Sequence, residues 1–416
     1  MNTQGLQLDQ APPLALPATF FLCLPIFLLS AGGLLIAFGA QALHSSWTPA
    51  TIALAHLGTL GLLGSVMLGA LYQMVPVVAG SPVPVIRMAW ATWAAWILGV
   101  ATFTGGLATG QAGLVDLGRT SLGLALLLFA LPVGVALLRS RAELEIRLGF
   151  GLAVSSLAGL ASLGYLMASG HAGGVFLLSR PEALVAHLAL GAFGWVGALI
   201  STVSWQVLPM FFLAPAVATR WRRVVLVGLA FGAWAPLVGM LFGLDRGWLL
   251  GLALPGAAIA WLLHPALVLR SIRLRNRARR DPSLGAWQAS MAVALCGLPL
   301  AALAVLAEST RPAMALGWLL IWGHAALLIH GMLSRILPFL VWFHRWSGRV
   351  GKERVPSMRS LLPDRVVYAS LGAHGLALAL GVGAALTGSD ALARLAGVGL
   401  LLTAAMVGRM MRRVLG

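Results

Sequence analysis

Charge is scarce in this chain: of 416 residues only 9% are Asp, Glu, Lys or Arg, while 60% are hydrophobic. Soluble domains carry about 25% charged residues. Together with a mean hydropathy of +0.93, this leaves no stretch polar enough to fold as a sizeable soluble domain, so the function must lie in a membrane. Carboxylates are scarcer still. All eleven Asp and Glu fall in tails, loops or at the ends of apolar runs, so no buried acid is placed midway for a proton pump or a cation-coupled carrier. Cysteine is nearly absent: Cys23 and Cys296 fit no metal-binding spacing, lie in predicted helices and are expected to be buried thiols. HxxxH, HxH and CxxC are all missing, which argues against the compact ligand sets of zinc and copper sites. The period-2 alternation of lipid-facing strands is also missing, which excludes a barrel.

What is present is a series of apolar runs, each near the roughly 20 residues that a helix needs to cross a bilayer. About twelve are predicted, near 16–40, 51–77, 87–109, 118–138, 147–168, 182–213, 222–243, 247–269, 286–307, 313–344, 366–387 and 391–412. The first run is too long for a signal-peptide core, and residues 1–15 hold no Lys or Arg, so it reads as a retained helix. Disorder is expected only in the first dozen residues.

The net charge of +17 is not a nucleic-acid signal, because its placement alternates. Even-numbered loops and the C-terminus carry Arg87; Arg139, Arg141 and Arg147; Arg220, Arg222 and Arg223; SIRLRNRARR at 271–280; HRWSGRVGKER at 344–354; and Arg409, Arg412 and Arg413. Odd loops hold single arginines: Arg119, Arg180, Arg246, Arg311 and Arg394. The positive-inside rule then places both termini in the cytoplasm of a bacterial-type inner membrane, with the basic loops against anionic lipid.

Three predicted helices share a signature. Helix two runs AHLGTLGLLGSVMLGALYQMVP (55–76), helix six AHLALGAFGWVGALISTVSWQVLP (186–209), and helix ten ends HGMLSRILP (330–338). They close on Tyr72-Gln73-x-x-Pro76, Trp205-Gln206-x-x-Pro209 and Ser334-Arg335-x-x-Pro338. The signature recurs every fourth helix, so the chain reads as three four-helix units, about 16–138, 147–269 and 286–412, within one transmembrane domain. If these units surround a pseudo-threefold axis, helices two, six and ten face inward.

His56 precedes its proline by 20 residues and His187 by 22, which puts both near the outer surface. His324 precedes Pro338 by 14 and His330 by 8, so they lie roughly 9 and 18 Å deeper at 1.5 Å per residue. Six residues apart on a helix, their side chains diverge by about 120°, so they cannot share one ion from one face. The glycines of helices two and six leave surface for a neighbouring helix, the commoner use, or for a flat macrocycle. A lone membrane His is more often a hydrogen-bonded core residue than a ligand, but four on three related helices suit axial ligation of haem. His44 and His264 are expected at the interface, His171 in solvent with the option of folding back, and His344 as a cytoplasmic anchor, while His374 lies off the repeat. Glu182 and Glu308 are candidates for orienting a ligand or guiding a proton. Arg335 would pair with a propionate or anion, or snorkel to the surface.

Three four-helix units with His on helices two, six and ten resemble the haem–copper oxidase and nitric oxide reductase catalytic subunit, together with the NnrS-like twelve-helix haem proteins. The resemblance covers nearly the whole chain as topology. It implies an all-α bundle holding haem, b-type in the first instance, with copper as a further candidate, and with an electron donor or a small gas (NO, O2, CO) as partner. His56 would be an axial ligand, His324 or His330 its counterpart, and His187 a ligand at a second site, with Gln73, Gln206 and Arg335 as further cofactor contacts. Helix seven (221–243) has no His, and helix ten has His-x5-His in place of a close pair. A complete binuclear metal site is therefore not expected. The implied role is respiratory or nitric-oxide-related: electron transfer, gas binding or sensing. A multi-helix transporter and an assembly or metal-delivery factor for an oxidase are the alternatives.

Overall fold

The computed structural model describes residues 7–276, 281–307 and 309–416. Glu308 and three arginines of the 271–280 run, Arg277, Arg279 and Arg280, lie outside them, as do residues 1–6 of the segment expected to be disordered. The Gln7 amide donates to the Val77 carbonyl at 2.8 Å.

Among the described residues, twelve helices are long and apolar enough to cross a membrane. They are α1 (Ala15–Leu43), α2 (Pro49–Val78), α3 (Met88–Thr109), α4 (Ala112–Arg139), α5 (Leu144–Ala168), α6 (Arg180–Phe212), α7 (Thr219–Leu241), α8 (Arg246–Arg273), α9 (Pro282–Leu306), α10 (Arg311–Arg349), α11 (Asp364–Thr387) and α12 (Asp390–Leu415). Their ends carry the expected chemistry. Asp245, Asp281 and Ser389 accept hydrogen bonds from the first-turn amides of α8, α9 and α12, which satisfies donors that a helix start leaves open. Gly110 and Gly388 end α3 and α11 at φ of 70° and 73°, a left-handed conformation that glycine adopts at little cost.

The chain forms two compact units. One comprises Met1–Pro12 and Ala70–Ala278, the other Pro13–Gly69 and Arg279–Gly416. In the first, α3 packs along α4, α5 along α4 and α6, and α7 along α8. In the second, α1 packs against α2 and α12, α9 against α10, and α11 against α10 and α12. Cys23 is buried, but Cys296 is exposed, against the expectation of two buried thiols. It sits where α9 is interrupted, between segments ending at Leu295 and starting at Gly297. Pro299 has no amide to bond the Leu295 carbonyl and loosens this turn.

Helices α2, α6 and α10 share a backbone feature that their sequences did not announce. Each contains eight residues of π-helix: Leu57–Gly64, Leu190–Gly197 and Leu319–Ala326. Counted back from Pro76, Pro209 and Pro338, all three run from position −19 to position −12. π-helix is rare and concentrates at functional sites, so one register in three helices is not expected by chance. Position −15 is glycine in all three, and each packs on the helix before it. A Cβ on Gly61 would lie 2.6 Å from Phe27, one on Gly194 would collide with Ser156, and one on Gly323 would lie 3.0 Å from Val293. Position −7 makes the second contact: Gly69 with Phe20, Thr202 with Gly149, and Gly331 with Ala286. On the partner helices the contact residues are 7 apart each time, Phe20 and Phe27, Gly149 and Ser156, Ala286 and Val293. The helix pairs α1–α2, α5–α6 and α9–α10 therefore pack in one register.

Candidate functional site

The polar groups inside the second unit gather around the π-helical part of α10. His324, buried within it, brings Nδ1 to 2.9 Å from the Ser290 hydroxyl and 3.1 Å from the Ser290 carbonyl on α9. The same hydroxyl donates to the His324 carbonyl at 2.9 Å. Its proton being committed there, Nδ1 of His324 is the donor toward Ser290, and Nε2 of the neutral ring is left as the nitrogen with a lone pair. His56, at the turn where the π-helix of α2 begins, has the same polarity: Nδ1 lies 2.7 Å from the Ile52 carbonyl, so it carries the proton. Helices α2 and α10 meet close by, a Cβ on Gly58 being 2.6 Å from Ile321 and 3.1 Å from the Trp322 indole. The glycine faces of α2 and α6 are thus filled by side chains of neighbouring helices.

His330 belongs to a different network. Its Nδ1 faces Nδ1 of His374 on α11 at 3.1 Å, and its Nε2 faces the Ser370 hydroxyl at 3.0 Å. Nε2 of His374 lies 3.0 Å from the Trp322 carbonyl. A carbonyl only accepts, so the polarity of the whole chain follows. His374 donates from Nε2 and accepts at Nδ1; His330 donates from Nδ1 and accepts at Nε2 from Ser370. The ring centroids are 5.3 Å apart with planes 23° apart. That separation is about the N···N distance plus two ring radii, so the rings meet edge to edge and nearly coplanar rather than face to face. The side chains of His324, His330, His374, Ser290 and Ser370 are at least 92% buried, and the two serines are fully so.

These contacts also fall on the wide turn of α10. The Trp322 carbonyl accepts the π-type bond from the Leu327 amide and the His374 side chain together, and the His324 carbonyl accepts from both Leu327 and Ser290. Side chains of α9 and α11 thereby reward carbonyls that the widened helix turns outward.

The other candidates are placed apart. Arg335 meets Asp281 at 3.5 Å, with side-chain exposures of 23% and 7%, so its guanidinium finds a protein carboxylate at the start of α9. Asp281 is held in turn by the Leu284 amide at 3.0 Å and the Ser283 hydroxyl at 2.6 Å. Gln73 Oε1, at the matching position of α2, is buried without a hydrogen bond, while Gln206 is half-buried on α6. His187 lies in the first unit, half-buried on α6 and 3.1 Å from where a Cβ on Gly164 would stand. His264, expected at the interface, is instead buried on α8 with Nε2 3.2 Å from Ser204 Oγ; the α6 hydroxyl gives its ring a partner within the helices. His171 is half-buried against Phe176, and burial, helped by the Arg180 charge, holds its pKa below the ordinary value of 6.5. Among the described residues no three His, Cys, Asp or Glu side chains form a metal-binding group.

Ser290, Ser370 and His374 are the site residues that the repeat did not reveal. Their signal was a hydroxyl or imidazole in the middle of an apolar run, a placement that calls for a buried partner. Neither a scan against protein-family models nor a search of curated proteins returned a match for this chain.

Proposed function

We propose that this is a haem-binding, oxidase-subunit-I-like membrane protein, built as three four-helix units about a pseudo-threefold axis, with both termini on the cytoplasmic side of a bacterial inner membrane. The observation that carries the reading is the donor set on two of the three matched helices. His56 and His324 each tie Nδ1–H to a backbone carbonyl and keep Nε2 as the basic nitrogen. Ligating histidines are oriented this way, with the second nitrogen fixed by an outer acceptor. The shared π register and the matched packing of α1–α2, α5–α6 and α9–α10 support the threefold reading.

The donor set would suit a b-type haem, which His56 and His324 would hold through Nε2. When bound, that group supplies one-electron exchange or a position for a diatomic gas. The chain's own contribution is to hold the ring of His56 through Ile52 and that of His324 through Ser290. His330 has both nitrogens engaged within the protein, so His324 is the counterpart of His56. With no His on α7, a full binuclear centre is outside this reading, and electron transfer, gas binding or sensing are its roles.

The test is an absorption spectrum of detergent-purified protein, oxidised and dithionite-reduced, with and without NO or CO. A Soret band with sharp reduced α and β bands is expected. A well-folded, colourless protein from haem-replete cells would overturn the reading and favour transport of a solute.

A further inference from the structure

The His330–His374 pair has no role in the haem reading. Two imidazoles from α10 and α11 meet head-on, nearly coplanar, with inner nitrogens 3.1 Å apart. Their outer nitrogens are each held by an oxygen, Ser370 Oγ at 3.0 Å and the Trp322 carbonyl at 3.0 Å. Both of these oxygens can accept an N–H. The shell therefore also suits a second arrangement, in which both rings carry their protons on Nε2 and both Nδ1 lone pairs point at each other.

We propose that the two Nδ1 atoms bind a soft monovalent metal ion, Cu(I) by chemical class, in a two-coordinate site. Two opposed nitrogen donors suit the linear coordination that a d10 monovalent ion accepts. Zinc normally takes four ligands, three of them from protein even in open sites, and among the described residues no third His, Cys, Asp or Glu joins the pair. A single positive charge on two neutral ligands also costs less in an apolar interior than a divalent one. The thioethers of Met410 and Met411, soft donors that favour Cu(I), line the same cavity of about 10 Å³ as His330.

Binding forms two N–Cu bonds and breaks the N–H···N bond, with no change in oxidation state. The His330 proton moves from Nδ1 to Nε2, where Ser370 becomes the acceptor and turns its own hydrogen to a helix carbonyl, as serines in helices do. No proton is released. Metal–nitrogen bonds of about 2 Å each, in line, require the two nitrogens to part by roughly 1 Å.

The experiment is an anaerobic titration of the full-length detergent-purified protein with Cu(I) against the colorimetric chelator bicinchoninate, with haem content measured on the same samples. One Cu(I) per chain is expected to be withheld from the chelator, and X-ray absorption at the copper edge is expected to show a low-coordinate nitrogen shell. His330→Ala and His374→Ala should each weaken it at least about ten-fold, more than the loss of an orienting partner alone. His324→Ala should keep the copper and lose haem. If His374→Ala does not fold, His374→Gln, which retains a donor for the Trp322 carbonyl, is the substitute. Wild-type protein that withholds no Cu(I), variants that withhold as much as wild type, or a four-ligand shell would overturn the proposal. Absence of a Soret band leaves this test unaffected, so the two readings fail separately.

Discussion

Helices α6 and α10 have the same backbone and different contents. Both run as π-helix from −19 to −12 before their prolines and press a −15 glycine against the preceding helix. At −14, however, α6 carries Trp195 where α10 carries His324, and at −8 Ser201 where α10 carries His330. The first helix of the set, α2, has Leu62 and Leu68 there. The backbone irregularity is therefore more general than the chemistry, which differs between the helices at these two positions. Polar partners follow the same division. The imidazoles of α10 meet Ser290, Ser370 and His374, whereas Trp195 of α6 is simply buried.

The sharpest way to break this comparison is to remove the imidazoles. His56→Ala and His324→Ala should each reduce haem per protein to roughly a tenth or less, since loss of a ligand should exceed the 10–100-fold cost of losing an orienting partner. His187→Ala, on α6, should leave haem content and spectrum unchanged; equal loss in all three would erase the distinction between the helices. The shared backbone is tested by Gly194→Val and Gly323→Val. Both should destabilise by about 1–3 kcal/mol through overpacking, measured as unfolding in detergent, while Gly105→Ala, which meets open space, should change stability by no more than about 0.5 kcal/mol.

Asp281→Asn should cost about 1–2 kcal/mol, below the 3–5 of a fully buried pair because Arg335 retains some exposure. Its effect should appear in stability with the haem spectrum unaltered. The smallest effect is expected for Ser290→Ala, about 1 kcal/mol for a lost hydrogen bond, accompanied by weaker haem retention. Ser204→Ala in α6 should show a similar stability loss and no change in haem, and a haem effect there would contradict the assignment of the site to α10.

The sequence made the twelve spans legible because hydropathy registers directly in composition, and predicted and observed limits agree to within a few residues for most of them. The three matched helices were legible from their closing prolines. Their π-helical turns were not read, although the aligned Leu57, Leu190 and Leu319 and the −15 glycines stand in the sequence. What the three π-helical stretches share is the −15 glycine packed on the preceding helix, a long-range contact that no local pattern reports. The separation of His324 from His330 was foreseen from their angular spacing, but the identity of each partner was not. Ser290 is 34 residues from His324 and His374 is 44 from His330, and no local pattern reports which helix lies alongside. His264 was misplaced for the same reason: its position near a span end suggested water, while a serine 60 residues away supplies its partner.

The widened turns also act as phase adjusters. An α-helix advances about 100° per residue, so one surplus residue, absorbed in a π-helical stretch, rotates everything before it relative to its proline side. In α10 the N-terminal half can thus be aimed by its contacts with α11, through Trp318 and Leu378, while the C-terminal half is aimed separately by Arg335 and Asp281. Deleting one residue between Leu319 and Ala326 would return the helix to a single phase, and the two ends could then no longer both meet their partners.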